Sequence, residues 1–308
     1  MRDVVDQVRR FNRHWTEVLG LLDQGLLETE HSLTEARVIF ELAQSEVSER
    51  MALRERLGID ASFLTRVLSR LEDKGLVRTW PSEVDRRRLH VALTDAGHTA
   101  FAQLDHRSAA QVGALVDELS EGQRRTLAEA MTITAHLIGP DRHARDVSLR
   151  PVAAGDLGWV VQRHGEIYAD EHGWDTDFEA LVARIVADWW TGRDPERDDA
   201  WIAEVDGARA GCVFCVGRDE QTAQLRILLV ERWARGMGIG SRLVDACITF
   251  ARAAGYARLV LWTNDVLASA RRIYEAAGFT LVDEEPHQSF GHDLVGQNWE
   301  LDLVTTRA

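Results

Sequence analysis

Arg235-Gly236-Met237-Gly238-Ile239-Gly240 stands between an apolar run, Leu225-Arg226-Ile227-Leu228-Leu229-Val230, and an amphipathic stretch from about Ser241 to Ala254. A glycine-rich turn between a strand and a helix lets backbone N–H groups crowd around a diphosphate, and the positive end of the helix dipole adds to the attraction. The turn lacks the Gly-Lys-Ser/Thr ending of a nucleotide-triphosphate loop, and its glycines are too closely spaced for the dinucleotide fingerprint. Further on, Leu259-Val260-Leu261-Trp262-Thr263-Asn264 reads as a strand ending in a polar side chain. The stretch Ala268 to Ala277 then reads as a helix carrying Tyr274 and closed by Gly278-Phe279.

With Arg235, Gly238 and Gly240 in the defining places, the turn fits Arg/Gln-x-x-Gly-x-Gly/Ala. It resembles the acetyl-CoA pyrophosphate loop of the GNAT superfamily of N-acetyltransferases, and the two later runs stand in the order and separation of the second half of that core. The resemblance implies that backbone N–H groups from Gly236, Met237, Gly238, Ile239, Gly240 and Ser241 hold the diphosphate while Arg235 adds charge. It also implies that a backbone N–H near Leu229 or Val230 faces the acetyl oxygen, an oxyanion-type contact. Asn264 would hydrogen-bond the pantetheine arm or a bridging water, and Tyr274 would act as general acid for the departing thiolate.

The general base is less defined. The strand Leu225 to Val230 carries no carboxylate, whereas some relatives place a Glu there, so the amine proton would leave through water or a residue elsewhere. Glu166 and Glu171 are candidates, within Arg163-His164-Gly165-Glu166-Ile167-Tyr168-Ala169-Asp170-Glu171-His172-Gly173-Trp174, a region that in this fold lies over the acceptor slot. Read as an acidic, aromatic-bearing loop, it would orient a cationic amine; read as a charged helix, it would face solvent.

Earlier in the chain, Leu33-Thr34-Glu35-Ala36-Arg37 opens a helix with Thr34 as cap, and Val47 to Leu57, Gly58-Ile59-Asp60 and Ala61 to Asp73 make a helix-turn-helix with Gly58 at the left-handed turn position. In the second helix Phe63, Leu64, Val67, Leu68 and Leu71 supply apolar contacts, leaving Ser62, Thr65, Arg66, Ser69 and Arg70 for a major groove. Two strands, Gly75 to Trp80 and Leu89 to Leu93, flank Pro81-Ser82-Glu83-Val84-Asp85-Arg86-Arg87-Arg88. With Leu-Glu-Asp-Lys-Gly-Leu-Val-Arg, Asp-Arg-Arg and Leu-Thr-Asp-Ala-Gly, the run Leu33 to Gly97 resembles the winged helix-turn-helix of MarR-type transcription regulators. The resemblance implies that Ser62, Thr65, Arg66 and Arg70 contact bases or nearby phosphates, that Arg86, Arg87 and Arg88 approach the minor groove, and that Asp85 holds an arginine.

The 308 residues suit two domains, each able to bury a core. Gly139-Pro140-Asp141-Arg142-His143-Ala144-Arg145-Asp146 is polar and breaks helical periodicity, which divides the chain into residues 1–143 and 144–308. The net charge is −14, yet residues 50 to 90 carry 10 basic against 6 acidic side chains, so one segment of an acidic chain is locally cationic. Three cysteines imply no disulfide framework, and Cys212 and Cys215, three apart on a strand, point to opposite faces and call for no metal. The longest apolar runs fall short of a membrane span and the N-terminus has no apolar signal core, so a cytoplasmic location without membrane contact is expected. Val4, Val8, Phe11, Trp15, Val18 and Leu22 form one helical stripe, either a core face or a dimer seam, and Ala100 to Ile138 offers two helices to complete such a seam.

These features predict a mainly α, MarR-type winged helix-turn-helix domain, homodimeric and bound to palindromic duplex DNA, followed by an α/β GNAT acyltransferase fold with a mixed sheet. The expected activity is an acetyl-CoA-dependent N-acetyltransferase regulating transcription and acting on a small-molecule or protein amine. Two alternatives stay open: a second domain that senses acyl-CoA or an amine without turnover, and a first domain that serves only as a dimerisation scaffold.

Overall fold

The computed structural model of the chain describes residues 2–20, 27, 29–138 and 146–304. It divides into two compact units, Met1–Glu121 and Gly122–Ala308. Leu22 and all but the last residue of the segment expected to join the domains lie outside the described residues.

The first unit begins with α1 (Arg2–Val18), whose Val4, Val8 and Phe11 are exposed, so this face of the stripe is not covered by the described residues. Helix α2 (Leu33–Ala43) is capped by Ser32 rather than Thr34: the Ser32 hydroxyl accepts from Glu35 N–H, and Glu35 reaches back to Ser32 N–H at 2.9 Å. The helix expected over residues 47–57 is shorter, because Ser48–Glu49 form β1 against His90 and Val91 before α3 (Arg50–Leu57) starts. Gly58 ends α3 at φ +65°, a left-handed value that a side chain would strain. Helix α4 (Ala61–Asp73) buries Leu64, Val67, Leu68 and Leu71 on one face. Strands β2 (Val77–Pro81) and β3 (Leu89–Leu93) complete a three-stranded sheet in the order β1-β3-β2, and α5 (Asp95–Asp117) follows.

Helix α6 (Glu121–Ile138) counts almost entirely with the second unit, not the first as the 143/144 boundary expected. Glu129 accepts two hydrogen bonds of 2.9 Å from Arg209, and His136 stacks on Trp233 with ring centroids 4.7 Å apart. Beyond it come β4 (Val147–Pro151), α7 (Asp156–His172), α8 (Thr176–Gly192), β5 (Asp199–Val205), β6 (Ala208–Gly217), β7 (Thr222–Val230), α9 (Ile239–Ala253), β8 (Arg258–Asn264), α10 (Ala268–Ala276), β9 (Thr280–Ser289) and β10 (His292–Asp302). The seven strands lie in the order β4-β5-β6-β7-β8-β10-β9, antiparallel except for β7 and β8. Helix α9 covers one face, its Leu243 and Val244 in one core cluster with Leu225 and Leu261 of the sheet; α7 and α8 cover the other, their Val160 and Val186 in a cluster with Ile202 and Phe214. Cys212 and Cys215 fall in these two different clusters, as a three-residue offset on a strand requires.

Two irregularities open the sheet at its centre. The parallel pairing of β7 with β8 runs only from Thr222 to Leu225, after which the strands part. In the same place Ile227 has φ +55° and the pairing with β6 slips between Cys212 and Phe214, a β-bulge that bends β7 away.

Candidate active site

Gly238 is the N-cap of α9 at φ +75°, so the helix begins at Ile239, two residues earlier than the periodicity suggests. The first helical bond runs from Arg242 N–H to Gly238 O at 3.1 Å, which leaves the amides of Ile239, Gly240 and Ser241 without helical partners. Gly240 sits against α10: a Cβ there would meet Ile273 Cδ1 at 2.6 Å. Along this turn runs a cleft of about 490 Å³ lined by Leu229, Val230, Arg235, Gly236, Gly238, Ile239, Gly240 and Ser241, with Ala268 and Ser269 of α10 opposite. Met237 does not line it; its side chain packs on the core below. Free amides at a helix N-terminus, glycines that keep side chains out of the way and an adjoining arginine suit a diphosphate, so the residues present fit the group that the sequence implied.

The cleft continues into a second pocket of about 160 Å³ where β7 and β8 part, the two sharing Tyr168, Leu228, Leu267 and Ala270. Here the amide alternation of β7 matters. Glu231 N–H donates to Ala210 O in β6 at 2.8 Å, so Leu229, paired with Cys212, faces β6 and Val230 turns its N–H to the open edge. Of the two amides expected to face an acyl oxygen, Val230 is the one so oriented.

Tyr274 lies in this second pocket, 5% exposed, and its hydroxyl has no hydrogen-bond partner among the described residues. Burial pushes its phenol well above the usual range, and the neighbouring Tyr168 and Cys247 add to the shift. The group is therefore a fully protonated donor at neutral pH. Asn264, also buried, lines the same pocket, but its Oδ1 is engaged by His287 Nε2 at 2.8 Å, and His287 Nδ1 meets Ser289 Oγ at 2.9 Å. That chain spends the amide oxygen and leaves the amide N–H groups for a ligand. Neither His287 nor Ser289 was foreseen, since β9 reaches β8 only through β10.

The acidic region is a helix, α7, not a loop. Its aromatic side turns inward, where Tyr168 packs on Phe178 and Trp174 with centroids 4.5 and 5.0 Å apart. Its carboxylates are taken by arginines. Glu166 is exposed and bound to Arg163, and it lines neither pocket. Glu171 reaches the phosphate end of the cleft, bridging Arg232 at 2.6 Å and Arg235 at 2.9 Å. Burial acts to raise its pKa, but the hydrogen bonds and charges of Arg235 and Arg232 outweigh that and hold it below the usual carboxylate range. Glu231, just past β7, is buried and gripped by Arg163 through Nε at 2.5 Å and Nη2 at 3.0 Å. No carboxylate lines the pocket beside Tyr274. This disfavours both Glu166 and Glu171 as proton acceptors. His164 is there, yet burial pushes its pKa down to about 4 and its Nδ1–H donates to Val160 O at 2.8 Å, so it is a neutral and weak base.

In the first unit, Ser62, Thr65, Arg66 and Arg70 all lie exposed along one face of α4. Ser62 donates to Asp60 at 2.8 Å and Thr65 to Ala61 O at 2.7 Å, so both hydroxyls are oriented by their own helix. In the wing, Arg88 is held by Glu49 at 3.4 Å and Asp85 at 3.8 Å, matching the expected role of Asp85. The side chains of Arg86 and Arg87 are exposed and carry no ion pair among the described residues.

Residues 162–279 match the model of the acetyltransferase (GNAT) family, and residues 31–88 that of the MarR family. Among curated proteins, the chain is similar to the N-acetylaspartate synthetase of Danio rerio, 36% identical over 27% of this chain and 30% of that protein. It is similar also to the N-acetyltransferase 8B of Homo sapiens, 35% identical over 30% of this chain and 41% of that protein. It thus spans less than half the length of either relative. Among solved structures, an N-acetyltransferase from Staphylococcus aureus Mu50 aligns with 52% of this chain and 99% of its own at 19% identity and a TM-score of 0.44. No helix among the described residues is long and apolar enough to cross a membrane, and no three metal-ligating side chains gather there.

Proposed function

We propose, for a chain that joins a MarR-family segment to a GNAT-family acetyltransferase domain, a DNA-binding regulator whose second unit transfers the acetyl group of acetyl-CoA to an amine. The observation that carries the catalytic half is the continuity of the two pockets: the free amides of α9 and Val230 line the first, and Tyr274 lines the second. Acetyl-CoA supplies an activated thioester. The amides of Ile239 to Ser241 hold its diphosphate, with Arg235 beside them, and the Asn264 amide N–H groups steady the arm. Val230 N–H donates to the acyl oxygen as negative charge develops there during attack by the amine nitrogen. As the C–S bond breaks, the Tyr274 O–H donates a hydrogen bond to the departing sulfur; its raised pKa disfavours full transfer, so the thiolate takes its proton from water. The proton of the attacking nitrogen leaves through water, because the nearby carboxylates are committed to arginines. Thiol release from acetyl-CoA measured across an amine library tests the reading. Amine-dependent release is expected, whereas binding without release from any amine would make the unit a sensor.

For the first unit, the exposed Val4, Val8 and Phe11 of α1 support a homodimer, and a two-fold dimer would set two α4 helices about one DNA turn apart on a palindromic site. Arg86 and Arg87 are the wing groups with charge to give. Replacing both with Ala is expected to weaken binding at every sequence, by roughly tenfold or more at moderate salt, and to flatten the salt dependence by about two phosphate contacts per wing, about four for the dimer. Titration of a labelled duplex at several salt concentrations reads both, and an unchanged slope would remove the wing from the interface.

A further inference from the structure

Arg226 is the one arginine lining the pocket beside Tyr274, and it has no ion pair, hydrogen bond or ring contact among the described residues. It stands on β7 immediately before the bulge, opposite Phe214, and is half-buried. Burial pushes its guanidinium pKa down; the field of Asp188 opposes that, but Asp188 is an exposed residue of α8 that makes no ion pair with Arg226 among the described residues. The contrast with its neighbours is plain: Arg163, Arg232 and Arg235 each hold a carboxylate at 3.1 Å or less. A desolvated cation without a counter-charge is costly, and a fold that keeps one in a pocket keeps it for something that arrives.

The rest of the pocket narrows the choice. Gln224, two residues before Arg226 on the same strand face, adds an amide, and His164 presents a neutral ring. Trp262 stands over Gly296, where a Cβ would meet its Nε1 at 2.8 Å, so the glycine makes room for the indole. Tyr168, Trp174 and Phe178 form an apolar wall. With a cation and no carboxylate on its walls, the pocket repels a polyamine and has nothing to pair with a simple alkylamine.

We propose that the acceptor is a small amino acid-type molecule, an amine that carries a carboxylate, with the carboxylate held by the Arg226 guanidinium and its side group against the aromatic wall. This rests on the acetyl-transfer reading of the same site and names its substrate class. A carboxylate matches the planar fork of a guanidinium with two parallel N–H···O bonds. Such a pair fixes the far end of the molecule, so the amine nitrogen can be aimed toward the thioester region between Val230 and Tyr274.

The test uses the full chain and pairs of acceptors that differ only in the carboxylate, such as phenylalanine with phenethylamine and leucine with isoamylamine, plus the phosphonate analogue of each amino acid. The parent is expected to favour the carboxylate member by roughly 100-fold or more in kcat/KM. In Arg226→Gln that ratio should collapse toward one, mostly through KM, and Arg226→Lys should restore part of it. Preference for the phosphonate would reassign the anion, and a parent that prefers the decarboxylated amine, or an Arg226→Gln ratio equal to the parent's, would overturn the proposal. Thermal melts of parent and variant with the same acceptors separate this from failure of the transfer reading. Stabilisation by the amino acid in the parent and not in Arg226→Gln, without thiol release, would sustain the anion site while removing the catalysis. Neither stabilisation nor turnover with any carboxylate ligand would remove both.

Discussion

Tyr274→Phe is expected to leave acetyl-CoA affinity near its parent value and to lower kcat by roughly 100-fold or more. The substitution removes one hydroxyl from a ring whose packing against Phe279, with centroids 5.9 Å apart, is retained. Since the hydroxyl makes no bond to the protein among the described residues, its loss breaks no internal network, and the effect falls on the reaction. Single-turnover thiol release with a saturating acceptor, run on parent and variant together, is the measurement. Equal rates would take Tyr274 out of the mechanism.

The second large effect is expected at the cradle. Gly238→Val places a branched side chain where φ is +75° and where a Cβ meets no atom within 4 Å, so the new bulk has room and projects into the approach to the α9 amides. The strain itself costs about 1–3 kcal/mol. The informative loss is that of ligand protection. At a hundredfold excess over its dissociation constant a ligand adds about 2.7 kcal/mol of stability, a rise in Tm of roughly 5–10 °C for a unit of this size. In a folded Gly238→Val protein that rise is expected to vanish, as scanning calorimetry with and without acetyl-CoA can show. An undiminished rise would mean that the diphosphate sits elsewhere.

What was legible in the sequence was what local spacing encodes. Gly238 and Gly240 mark the turn because backbone must be bare there, and the i, i+3, i+4 placing of Leu64, Val67, Leu68 and Leu71 fixes which face of α4 is exposed. The capping box at Ser32 is also written locally, in Ser-x-x-Glu, which outranks Thr34 as the cap. Strand β1 was not, since two residues hold no period. The remaining gaps are tertiary. His287 and Asn264 are 23 residues apart and meet because β10 intervenes between β8 and β9. Glu171 is a candidate proton acceptor by residue type, but it is paired with Arg232 and Arg235, more than sixty residues away in the sequence. Arg226 lies in the apolar run before the glycine turn, but solitude is a property of surroundings and cannot be seen in a string.

The bulge at Ile227 acts on β7 as a change of phase. Upstream of it the even-numbered side chains, Gln224 and Arg226, face the layer of α7 and α8; downstream that layer receives Ile227 and Leu229, the odd-numbered ones. One surplus residue thus uncouples two tasks that a regular strand would lock together by its two-residue repeat. Acceptor recognition can drift through positions 224 and 226 while the amide at Val230 keeps its aim, which gives one strand two independently adjustable ends.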